Sequence, residues 1–158
     1  MRRKKIGTKH FEGVIDITDP CYDKDVWCRL NATVKAGEYD CLIWRHTDKV
    51  WCRTDKLEQI KDVRVGVIGI YLNGIVPPQR SMEYIGEIGV DAGLAGFFMN
   101  KPDYNDDEWS DFCDSIRNGD AWIKDEGFFS SSGYGDGCYP VYASKIDNKI
   151  IALEIRFI

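Results

Sequence analysis

Between positions 63 and 72 the chain reads VRVGVIGIYL, ten residues dominated by β-branched and aromatic side chains. Such a run fits a strand buried on both faces better than a helix, because β-branched residues lose rotamer freedom on a helix and pack well on a pleated surface. Gly66 and Gly69 inside it signal a bulge or a close approach of another backbone. A strand of this kind needs neighbours on both sides, and the flanking sequence supplies candidates. GVIDIT (13–18) alternates with a period of two and stops at Asp19-Pro20, where proline removes a ladder donor. WCRLNATVK (27–35) and YDCLIWRHT (39–47) flank Ala-Gly-Glu and read as a hairpin, with DKVWCRTD (48–55) as a returning strand. NGIVPP closes the 63–72 strand, EYIGEIGV (83–90) follows, and LAGFFM (94–99) continues or pairs with it. CYPVYASKI and KIIALEIRF meet at Asp147-Asn148, a hairpin signal.

One segment has helical period. In NDDEWSDFCDSIRNG, Trp109, Phe112, Cys113 and Ile116 fall at i, i+3, i+4 and i+7. Asn105 is placed as N-cap, Glu108 completes a capping box, and Asp106 and Asp107 suit the positive helix end. The same acidic stretch mimics the spacing of an EF-hand loop, but Glu108 stands where the loop needs glycine. The expected fold is α+β, predominantly antiparallel β, as a sandwich or partly closed barrel with one packed helix near 105–118. At 158 residues, with 44% hydrophobic and 13% aromatic residues, the chain has material for one core rather than two. The expected organisation is a basic N-terminal tail over 1–12 and a single β-rich domain over 13–158.

The net charge is −5, and removing the cations Arg2, Arg3, Lys4, Lys5 and Lys9 leaves the remainder at −10. An acidic body repels phosphate, so nucleic acid is disfavoured as a partner. The basic start lacks the apolar stretch of a signal peptide, and the most apolar run is too short and broken to span a bilayer. The expectation is a cytoplasmic protein without a membrane partner, its six cysteines reduced. The cysteines form no CxxC pair, so neither a zinc site nor another bound metal is expected, and no cofactor motif is present. His46 beside Trp44 reads as a surface residue, and GYGDG is neither a Walker loop nor GxGxxG.

Three aspartates stand at strand-to-loop breaks among small residues: Asp19 in ITDPCY, Asp91 in VDAGLAGF and Asp136 in GYGDGCYP. Each alone is a typical Asx-turn residue. Together they would form a site that holds a cation, binds a cationic ligand or performs acid–base work. The expected ligand-binding positions are Asp19, Asp91, Gly93, Gly135, Asp136 and Tyr139, on the 18–23, 90–96 and 130–139 loops. The leading reading is a non-catalytic domain that binds a protein or small ligand. The alternative is a small hydrolase or metal-dependent enzyme using Asp19, Asp91 and Asp136.

GVDAGLAGFF, then SSGYGDGCYPVYAS and the final IIALEIRF, resemble an uncharacterised bacterial family known only as a domain of unknown function, with VDAG and SG-aromatic-GDG-x-YPVY segments. The Asp-Pro after the first strand also looks like that family's opening. The resemblance implies a bacterial origin and no known activity.

Overall fold

A computed structural model describes residues 1–53 and 56–158. Among them are nine strands and one α-helix in the order β1 (Arg2–Thr18), β2 (Leu30–Arg53), β3 (Leu57–Leu72), β4 (Glu83–Val90), β5 (Leu94–Phe98), α1 (Asp106–Asp114), β6 (Ala121–Lys124), β7 (Gly127–Ser131), β8 (Gly137–Ile146) and β9 (Lys149–Arg156). The strands form a single sheet ordered β4-β8-β9-β3-β2-β1-β5-β7-β6. Neighbours pair antiparallel, apart from one parallel bridge between Val34 of β2 and Ile150 of β9.

The sheet curls around its main core without closing into a barrel. Ile88 and Val90 of the edge strand β4 reach the same buried cluster as Ile15 and Ile17 of β1 and Ile68 and Ile70 of β3. Alternation assigns the faces. Phe97 and Phe128 point into this core, whereas Phe98 and Phe129 face the other way and meet Phe112 of α1. The helix therefore covers the outer face of β5 and β7. On another stretch of outer face, Leu42, Tyr71, Met82 and Ala152 form a small cluster with Trp44 and Val76 at its rim.

The α+β architecture and the helix agree with the sequence expectation, but several strand connections differ. No hairpin forms at Ala36–Glu38: β2 continues as one strand with a bulge between Val34 and Gly37, and Lys9, His10 and Phe11 of β1 pair with Tyr39, Glu38 and Gly37. Gly37 leaves room for the Leu72 side chain, whose Cδ1 would lie 2.5 Å from a Cβ there. DKVWCRTD does not return as a separate strand. Its residues through Arg53 continue β2, while Thr54 and Asp55 lie outside the described residues. Residues 2–12 are not a tail either. Arg2 pairs with Arg45 and Lys4 with Ile43, so the cations lie along a paired strand. LAGFF pairs with β1 and β7 rather than with β4. The helix ends at Asp114 with Ser115 as C-cap, and Cys113 is exposed instead of joining Phe112 in the core.

Beyond the Arg2–Arg45 pair, β2 and β3 have no other strand partner among the described residues and continue as a two-stranded ribbon to Arg53–Leu57. No helix among the described residues is long and apolar enough to cross a membrane.

Candidate functional site

Asp19 follows β1 at the Asp-Pro break and is fully buried, 0% exposed. Burial of a carboxylate demands partners for both oxygens. Oδ1 accepts the amide of Cys21 at 2.9 Å, the local Asx-turn bond. Oδ2 accepts the amides of Asp91 at 3.0 Å and Ala92 at 2.6 Å. The VDAG loop is thus held by a side chain from the first inter-strand loop. The third loop joins through the Ser132 amide, which donates to the Gly93 carbonyl at 3.0 Å. A Cβ added to Gly93 would lie 4.0 Å from Asp136 Oδ1. The three loops meet at one end of the sheet.

The roles of their aspartates differ. Asp19 is sealed inside and its acceptors are occupied, whereas Asp91 and Asp136 are exposed. Among the described residues no three His, Cys, Asp or Glu side chains are arranged to hold a metal ion. Burial and then the neighbouring Asp19 carboxylate push the Cys21 thiol well above its ordinary range, so this cysteine is not poised as a nucleophile.

The glycine-rich turn is internally braced. Tyr139 donates its hydroxyl to the Gly135 carbonyl at 2.6 Å, and Ser132 Oγ donates to the same oxygen at 2.9 Å. The Tyr139 ring stands edge-on to Phe157 with centroids 5.0 Å apart. Burial, with Asp136 adding to it, raises the Tyr139 phenol. Gly133 has φ +58°, and a Cβ there would lie 2.9 Å from Phe157 Cβ. Tyr139, Gly135 and Gly133 therefore shape the loop, and its exposed tip is Tyr134 with Asp136.

Tyr134 reaches away from the turn to the ribbon. Its hydroxyl donates to Asp48, and its ring lies 5.4 Å from the Arg64 guanidinium. Asp48 also bonds His46 Nε2 at 2.9 Å, and these two donors, Tyr134 first, hold its carboxyl below the usual range. His46 thus works as a structural partner at the base of the ribbon.

Two features escape a reading of the residues alone. Trp27 is 90% exposed, in the loop that Asp19 anchors. The next residue, Cys28, accepts the Gly89 amide at 3.0 Å, which sets Trp27 beside the end of β4 that leads into Asp91. Elsewhere a cavity of about 400 Å3 opens between Met1, Trp44, Val67, Val76 and Glu154. Glu154 is buried there but spent, accepting from Tyr71 Oη at 2.7 Å and Arg156 Nε at 3.0 Å.

No protein-family model, no curated protein and no solved structure matches the chain.

Proposed function

We propose that the protein is a non-catalytic binding domain whose recognition surface is the three-loop platform of residues 18–28, 90–96 and 130–139. The observation that carries this reading is Trp27, held in the open by a loop that a buried carboxylate fixes to its neighbour. An exposed tryptophan on a fixed loop is the type of residue that anchors protein interfaces, because it offers a large apolar area from a backbone already in place. Asp91 and Asp136 add negative charge to the rim. The partner chemistry this favours is a protein segment presenting lysine or arginine, which an indole face and carboxylates both attract.

The alternative enzyme would need Asp19 as a third carboxylate. Its oxygens already satisfy three amides, and freeing them would leave those part-buried donors unpaired. The geometry therefore favours the binding reading.

The test is a fluorescence titration with an arginine-rich peptide, comparing wild type, Trp27→Ala, and Asp91→Asn with Asp136→Asn. Asp107→Asn with Asp111→Asn on α1 controls for net charge. Saturable binding weakened about tenfold or more by the platform variants, and little changed by the control, supports the reading. Equal weakening by both charge pairs would reduce it to non-specific attraction and reject it.

A further inference from the structure

The sequence alone sets the N-terminal cations apart as a tail attached to an acidic body. In the fold they are in register with the β2–β3 ribbon. Arg2 lies opposite Arg45, and on the ribbon itself Lys49 lies opposite Lys61, Trp51 opposite Gln59, and Arg53 opposite Leu57. Side chains alternate along a strand, and cross-strand partners share a face. One face of the ribbon therefore carries Arg45, Thr47, Lys49, Trp51 and Arg53 on β2 and Leu57, Gln59, Lys61 and Val63 on β3. Arg2 and Lys4 of β1 extend this face at its base. Among the described residues the ribbon's own carboxylates, Asp48, Glu58 and Asp62, all fall on the reverse side by the same register, and Asp120 reaches this face only at its base.

Arg45 is already met by Asp120, with two bonds of 2.8 Å. Arg2, Lys4, Lys49 and Lys61 have no carboxylate within ion-pair distance among the described residues. A groove of about 610 Å3 lies at the base of the face, with Arg2, Lys4 and Lys61 in its walls. Beyond it Trp51 stands 66% exposed in the same row.

We propose that this face binds the phosphate backbone of single-stranded nucleic acid, with Trp51 stacking on a base. Three observations select that partner. The cations form a stripe one ribbon wide and roughly 27 Å long from Arg45 to Arg53, at about 3.4 Å per residue, which suits a linear polyanion. The aromatic lies within the stripe, and a sequence-tolerant single-strand site combines a cationic track with a stacking platform. An indole can reach a base face only where the base is unstacked, which favours a single strand over a duplex. The acidic body confines the contact to the ribbon by repulsion, so the −5 net charge is compatible with it.

The test is anisotropy of a labelled oligothymidylate against salt, with a duplex of matched length and phosphatidylserine vesicles as competitors. The variants are Lys49→Glu with Lys61→Glu, the milder Lys49→Gln with Lys61→Gln, and Trp51→Ala. Lys145→Glu with Lys149→Glu, at the distant β8–β9 turn, makes the same charge change as the first pair. Circular dichroism confirms that each variant is folded, and the glutamine pair serves if the glutamate pair is not. The ribbon pairs are expected to weaken binding at least tenfold and to flatten the log K against log[salt] slope by about 1.4, two phosphate contacts' worth. Trp51→Ala is expected to weaken binding about tenfold and leave that slope unchanged. Any of four results overturns the proposal: no saturable binding at low salt, equal effects of the ribbon and distant pairs, duplex preferred over single strand, or vesicles competing as well as the unlabelled strand.

Discussion

The Ala92 amide donates to Asp19 Oδ2 at 2.6 Å across 73 residues of chain, and this bond fixes the VDAG loop to the end of β1. Both oxygens of Asp19 are acceptors, so asparagine cannot replace it: one oxygen becomes an NH2 that faces an amide donor. Asp19→Asn is expected to cost about 2 kcal/mol and Asp19→Ala about 3–5 kcal/mol. Urea unfolding measures both. An asparagine variant as stable as wild type would show that the amides on one of the two oxygens are dispensable.

The helix offers a cleaner packing test. Phe112 is 6% exposed, with ring centroids 5.3 Å from Trp109, 5.2 Å from Phe129 and 5.4 Å from Tyr104. Phe112→Ala removes the centre of that stack and is expected to cost about 3–5 kcal/mol. Asp111 is exposed on the same helix, and Asp111→Ala is expected to stay within about 0.5 kcal/mol of wild type. Equal losses for the two variants would contradict the packing.

These cases mark how far local sequence reaches. The capping box forms as written, Asn105 Oδ1 accepting from Glu108 and Glu108 Oε1 accepting from Asn105. Asp147 and Asn148 both adopt positive φ, 50° and 64°, as a two-residue hairpin requires. Each signal is completed within a few residues. Gly37 misleads because a glycine that makes room for Leu72 looks the same in sequence as one that makes a turn. Arg2–Lys5 look like a tail because lysine and arginine carry little strand propensity, and their pairing is imposed by β2 forty residues later. At the site, the Asp19–Cys21 bond is legible as an Asx-turn. The bonds to Asp91 and Ala92, and the exposure of Trp27, depend on which loops the folded sheet brings together.

The six cysteines are free thiols, and their burial predicts an order of labelling. Cys113 and Cys138 are exposed, whereas Cys28 and Cys41 are buried, and burial pushes the Cys41 thiol up to about 12. A disulfide reagent at neutral pH is expected to label Cys113 and Cys138 first and to reach Cys28 and Cys41 only on unfolding. Fast modification of Cys41 in native protein would show that the core opens there.

The Arg45–Asp120 pair has a defined pH signature. Hydrogen bonding to Arg45 holds the Asp120 carboxyl below its ordinary 3.8. A depressed folded value means that the stabilisation is fully present above the unfolded value and is lost as pH falls through the folded one. Asp120→Asn is expected to be about 1 kcal/mol less stable than wild type at pH 7, a figure kept small because both side chains are partly exposed. The difference should close as pH falls below 3.8 toward the depressed value. Chemical denaturation at several pH values measures it, and a gap that persists unchanged in acid would show that the substituted amide is misplaced for a reason other than charge.

Tyr134 ties the glycine-rich turn to the ribbon, and its removal should loosen the ribbon alone. A two-stranded ribbon is marginal without support, and this one is braced at its base by the Arg45–Asp120 pair and by the turn: the Tyr134 hydroxyl on Asp48, the ring over Arg64, and Arg64 donating to the Gly133 carbonyl at 3.3 Å. Tyr134→Phe deletes the hydroxyl contact and keeps the ring. Tyr134→Ala deletes both. Hydrogen exchange is expected to quicken at the paired amides of residues 46–53 and 57–64, more for alanine than for phenylalanine, while β9 amides keep their protection. The loss should be graded, because the ribbon would fray from its base rather than unfold with the body. Unchanged exchange in both variants would mean that the turn's reach across to Asp48 does not hold the arm.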